Sequence, residues 1–155
     1  MTYTEEDYLK AIYQLSTKSG SAITTSAIAD LVECRPSSVT DMVQRIADKG
    51  FVTYKKYWGV VLTALGNKTA IMIIRKHRLW EVFLVEKLGF SRDEVHAVDE
   101  QLEHIKSEKL ISSLESFLGF PTEDPHGDPI PDSSGRIVQV HRKLLSEIPV
   151  GKKAI

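Results

Sequence analysis

The chain holds a single cysteine, Cys34, among 155 residues. One thiol cannot close an intramolecular disulfide, nor build a Cys-based zinc site or an iron–sulfur cluster. The expected compartment is therefore the reducing cytoplasm. No apolar run approaches the ~20 residues of a membrane-spanning helix, so no membrane partner is expected. The opening stretch MTYTEEDYLK is acidic, which reads against a signal peptide. Internal repeats and low-complexity tracts are lacking. Net charge is nearly lacking too, at -1. What the chain does have is 42% apolar residues, enough to bury a core.

The charges are unevenly spread. From Arg35 to Lys68 there are six bases and two acids, whereas from Ser91 to Glu108 there are six acids and two bases. The first stretch suits a nucleic acid and the second a cation.

Hydrophobic spacing and breakers predict a mainly helical chain. Thr4 and Asp7 have capping-box spacing ahead of a first helix carrying Tyr8, Leu9, Ile12, Tyr13 and Leu15. Thr24 or Thr25 caps a short second helix. Pro36 opens a third, where its missing N–H costs nothing, and Gly50 ends it. Phe51 to Thr63 reads as a β-hairpin around Tyr57-Trp58-Gly59. Further helices are expected from Leu65 to about Lys87, from a cap at Ser91 to about Ser107, and from Glu108 to Leu118. Pro121 to Gly135 is rich in Pro, Gly and Asp and is expected to be a loop.

This order is that of a winged helix-turn-helix, with the third helix in the major groove and the hairpin against the backbone. The candidate DNA contacts are Arg35, Pro36, Ser37, Ser38, Thr40 and Gln44 at the third helix, and Lys55, Lys56 and Tyr57 at the wing. Small polar groups approach base edges closely, and lysines hold phosphates. Asp41 has two readings: it opposes phosphate, or it accepts from a cytosine amino group. The bland alternative is an ordinary three-helix domain with a hairpin.

Four of the five histidines have a carboxylate within four residues. His77/Glu81 and His96/Glu100 are four apart, and so share a helix face. Glu100, Glu103 and His104 form E-x-x-E-H, which on a continuing helix projects all three from one patch. Asp124 and His126 lie together in the loop. Imidazole with carboxylates is a divalent-cation donor set. The competing reading is a series of solvated surface pairs, with Lys76, Arg78 and Lys106 as local partners. No nucleophile or spare base accompanies these groups, so no enzymatic activity is expected.

The segments EEDYLKAIYQL (Glu5–Leu15), RKHRLWEVFL (Arg75–Leu84), EVHAVDEQLEHIKSE (Glu94–Glu108) and HGDPIP (His126–Pro131) resemble the diphtheria toxin repressor family, and most nearly its manganese-responsive members. The resemblance implies a winged helix-turn-helix over 1–72 and a helical metal-binding and dimerisation domain over 73–140. It implies a primary site of Asp7, Glu100, Glu103 and His104, and a second of His77, Glu81 and His96. Asp124 and His126 stand where related regulators have Cys-Pro-His-Gly, and are further ligand candidates. Lys10 stands where two-domain manganese regulators carry a Glu. Iron-responsive members have Met and Cys where this chain has Asp7 and Glu100. Oxygen donors in both places favour Mn²⁺, with Fe²⁺ as the alternative. Residues 141–155, with Leu144–Ile155, resemble the opening of an SH3-like third domain. The implied function is a homodimeric, metal-dependent repressor of metal-uptake genes acting on palindromic double-stranded DNA. A metal-independent winged-helix regulator is the other reading.

Overall fold

A computed structural model describes residues 1–137. The tail resembling a third domain, residues 141–155, lies outside the described residues, as do the last positions of the 73–140 segment. The elements are α1 (Tyr3–Ser19), α2 (Thr25–Val32), α3 (Pro36–Asp48), β1 (Val52–Lys55), β2 (Gly59–Leu62), α4 (Ala64–Glu86), α5 (Arg92–Leu102) and α6 (Glu108–Phe117).

The first helix begins two residues earlier than the Thr4–Asp7 spacing predicts. Thr2 is the cap: its side chain accepts from the Glu5 amide, and Glu5 accepts from the Thr2 amide. The same S/T-x-x-E chemistry operates with the longer acid. This start leaves Glu6 and Asp7 without a capping duty. Thr24 caps α2, Glu33 ends it in a left-handed conformation, and Pro36 opens α3.

The hairpin pairs Val52 with Leu62 through to Lys55 with Gly59. Ile23 adds an antiparallel bridge to Val60. Gly59 is required there: its φ is 118°, and a Cβ would lie 2.7 Å from the Ile23 carbonyl oxygen. The tip is solvent-facing, with Tyr57 96% and Trp58 73% exposed.

Two apolar clusters share α4. The first gathers Leu9, Ile12, Ile28, Val39, Val43, Ile46, Val52 and Val60, with Ala70 and Ile73 from α4. The second gathers Leu79, Trp80 and Val82 from α4 with Ile111 and Leu114 from α6 and Ile130. Helix α4 therefore belongs to both halves, and residues 72 and 73 fall inside it.

Helix α5 departs from expectation by stopping at Leu102 instead of continuing to Ser107. Glu103 is its C-cap, still helical in backbone with its N–H bonded to the Asp99 carbonyl, and a turn follows at His104.

Candidate metal centre and nucleic-acid interface

The early start of α1 puts Glu6 and Asp7 opposite the turn after α5. His104 is buried between them, its ring stacked on Tyr3 with centroids 4.6 Å apart. Its Nδ1 lies 2.5 Å from Glu6 Oε2, and its Nε2 lies 3.1 Å from Asp7 Oδ1. A ring held at Nδ1 by a carboxylate presents Nε2 as its free donor atom. Asp7, Glu103 and His104 each bring one ligand atom within 4.8 Å of the others.

Glu103 is fully buried and double-ended. Lys10 donates to Oε1 at 2.6 Å, and His77 Nδ1 meets Oε2 at 2.6 Å. Burial opposes its ionisation, but the His77 and Lys10 bonds outweigh that and hold the carboxyl below its usual range. Asp7 moves the other way. Partial burial raises it, with the charges of Glu103 and Glu100 adding, against His104 and Lys10.

Two further groups lie along the same cleft. His77, Glu81 and Asp99 bring ligand atoms within 4.8 Å, as do Glu81, Asp124 and His126. His77 Nε2 is 3.4 Å from Asp99 Oδ2 and 4.0 Å from Glu81 Oε1, while His126 Nδ1 is 3.3 Å from the same Glu81 oxygen. Burial pushes the Glu81 carboxyl up to about 8, with Asp124 adding to the rise and His77 opposing it. The Asp124 Oδ1 atom accepts from the amides of His126 and Asp128, which fixes the loop.

The structure does not gather every ligand candidate equally. Glu100 and His96 line the cleft but pair with each other at 3.3 Å on the outer face of α5, where His96 is 73% exposed. Spacing alone missed Asp99, Glu6 and Lys10. Asp99 did leave a signal: it lies between Val95 and Leu102 on the inward stripe of α5, where an apolar residue is expected.

On the other half, Arg35, Pro36, Ser37, Ser38 and Gln44 are exposed at α3 and Thr40 is half-buried. The Thr40 hydroxyl donates to the Pro36 carbonyl, and Gln44 donates to Asp48. At the wing, Lys55, Lys56 and Tyr57 are exposed, and Lys56 lies over the Tyr57 ring.

A profile described as iron dependent repressor, N-terminal DNA binding domain, matches residues 1–60, and its companion, metal binding and dimerisation domain, matches residues 63–132. The chain belongs to this family. Its members are metal-dependent DNA-binding transcriptional regulators, the diphtheria toxin repressor group. An HTH-type regulator of Shouchella clausii named MntR is 39% identical over 119 residues, covering 77% of this chain and 82% of its own. The iron-dependent repressor IdeR of Mycobacterium leprae is 34% identical over 157 residues, covering 96% of this chain and 67% of its own. A solved manganese-dependent transcriptional repressor in complex with manganese superposes with a TM-score of 0.80 at 36% identity over 88% of this chain. The chain spans 63% of that protein's length. DNA, a second copy and a divalent cation are thus this family's partners. No helix among the described residues is long and apolar enough to cross a membrane.

Proposed function

We propose that this chain is a manganese-responsive transcriptional repressor, acting in the cytoplasm as a homodimer on a palindromic operator of metal-uptake genes. The carrying observation is that Asp7, on the helix that begins the DNA-binding half, meets Glu103 and His104 from beyond α5 within 4.8 Å. The donor set is carboxylate oxygen with one imidazole and no sulfur, which fits Mn²⁺ better than softer ions. The buried Glu103 and His104 and the exposed Asp7 offer oxygen and imidazole-nitrogen donors that fit a cation chemically. We assign residues 1–72 to DNA binding and 73–140 to metal binding and dimerisation.

Asp7, Glu103 and His104 would hold the ion, with Glu100 on the same cleft completing the set. His77, Glu81, Asp124 and His126 form further hard-donor groups, with His96 at the rim. A bound divalent ion supplies the positive charge that these carboxylates otherwise lack. Glu6 and Tyr3 orient the His104 ring, so Nε2 faces Asp7. Lys10 keeps Glu103 ionised and turned toward α1. These contacts join the two halves and fix the presentation of α3, whose exposed Ser37, Ser38 and Gln44 face bases while Lys55 and Lys56 hold phosphate. Leu110, Phe117 and Phe120 leave apolar surface exposed on and after α6, which supports a second copy as partner.

The test is operator binding in Mn²⁺ and in chelator. The expected tightening is at least tenfold, or ~1.4 kcal/mol of coupling. Equal affinity in both removes the reading, and a response to Fe²⁺ but not Mn²⁺ makes the chain an iron sensor.

A further inference from the structure

We propose that Trp58, at the tip of the wing, reads the minor groove beside each operator half-site and favours A·T pairs there. The inference rests on the regulator reading and names a specificity-determining residue for it.

The tip presents its rings and buries neither. Lys55 pairs with Gly59, which leaves Lys56, Tyr57 and Trp58 as the loop. The Trp58 amide donates to the Lys55 carbonyl at 3.0 Å, and Tyr57 sits at a φ of 68°, a left-handed conformation that is costly for a bulky residue. Below the loop, Ile23 and Val60 exchange amide–carbonyl bonds of 2.9 and 2.8 Å. Val52 and Val60 share a core with Val39 and Val43 of α3, so the tip is fixed relative to that helix. Trp58 is 73% exposed, and its indole makes no ring contact or hydrogen bond among the described residues. The other tryptophan, Trp80, is buried and packs edge-on against Phe83. Tyr57 and Trp58 together leave an apolar patch in water, the mark of a contact surface.

The charge around the patch selects the partner. No aspartate or glutamate occurs between Asp48 and Glu81, and Lys55 and Lys56 are exposed on the same turn as the rings. The surface therefore suits a polyanion. With α3 in the major groove and the wing lysines on the phosphates that border it, the next surface along the duplex is the minor groove.

The indole sets what is read there. Its Nε1–H donates and cannot accept. A·T and T·A pairs show the minor groove only acceptors, adenine N3 and thymine O2, whereas a G·C pair adds the guanine N2 amino donor. A single donor on a flat apolar ring finds a partner over the first and meets a protruding donor over the second. Tyr57 donates and accepts through one hydroxyl, and so does not separate the two. Lys55 and Lys56 are held by phosphate, which carries no sequence. Discrimination falls to Trp58.

The experiment selects duplexes from a random-sequence pool with the full chain in Mn²⁺. Affinity is then measured for the selected duplex with A·T, G·C or inosine·C pairs flanking each half-site, inosine lacking the guanine N2 amino group. For the parent, G·C flanks are expected to weaken binding about tenfold, and inosine·C flanks to restore most of it. Trp58→Ala is expected to bind all three duplexes within about twofold of one another, with the parent's salt slope, melting temperature and penalty for a changed base under α3. A parent indifferent to its flanks, or a Trp58→Ala variant that keeps the preference, overturns the inference and leaves the regulator standing. Trp58 emission, taken as parent minus Trp58→Phe, that responds to anionic phospholipid vesicles and not to the duplex also overturns it, with a lipid surface as the partner. If no duplex is selected in Mn²⁺, both readings fail.

Discussion

Lys10 places a permanent positive charge beside Glu103 Oε1 and favours the ionised form of Asp7. It competes with any cation for that oxygen. Lys10→Met is expected to raise Mn²⁺ affinity about tenfold, ~1.4 kcal/mol, while weakening the metal-free contact between α1 and the turn after α5. Calorimetric Mn²⁺ titration checks this, and weaker binding would show that Lys10 assists the site. Glu81 gives a pH signature. Its folded carboxyl titrates at about 8 against an ordinary 4.5, so the folded state binds the proton more tightly. That contribution is complete below 4.5 and is lost as pH rises toward about 8. Metal-free protein should therefore melt at progressively lower temperature across that window, and Glu81→Gln should flatten the trend. Chelated melts at several pH values decide it.

At the scale of elements, most of the order was legible because breakers and caps are local. Pro36, Thr24 and the Ser91–Glu94 box act through neighbours within four residues. What was not legible is decided across the chain. Thr2 and Thr4 are both capable caps, and Thr2 takes the role because Glu5 reaches back to its amide and completes the box. The E-x-x-E-H pattern presumes a helix that continues, yet α5 stops at Leu102; Glu103 shares the buried face of Asp99, and Glu100 sits at the exposed edge of the cleft. Asp99 shows in the sequence only as a polar break in the inward stripe of α5, and contact with α4 makes it a neighbour of His77. Gly66 is a similar long-range case. A Cβ there would lie 1.8 Å from the Phe51 carbonyl oxygen, so α4 can approach the wing only through glycine. Alanine gains ~1 kcal/mol of helix propensity over glycine, but the clash is with backbone. Gly66→Ala is expected to destabilise the DNA-binding half by roughly 2–4 kcal/mol, read by denaturant unfolding; a neutral result would mean that the helix start shifts freely. At the wing, Lys55→Ala and Lys56→Ala should weaken binding to all sequences alike and lower the salt slope by ~1 each.

For the molecule as a whole, the decisive quantity is the coupling between cation and operator. Asp7 is the ligand candidate on the DNA-binding side, so Asp7→Asn should leave metal-free operator affinity unchanged and abolish the Mn²⁺ tightening. Linkage then requires operator DNA to raise Mn²⁺ affinity in the parent by the same factor, and in the variant not at all. Titrations run in both directions check this, and full tightening in Asp7→Asn would move the sensing role to the His77 group.

Helix α4 spans Ala64–Glu86 with no proline, and enters both apolar clusters. It is a lever. From His77 to Gly66 it reaches about 16 Å at 1.5 Å per residue. A tilt of about 10° at the ligand end swings the wing end by roughly 3 Å, close to the ~3.4 Å axial rise per phosphate of one strand. Two copies related by a twofold axis would swing in opposite senses. A small angular change at the cation cleft would thus become a misfit of about one base step where the protein meets DNA.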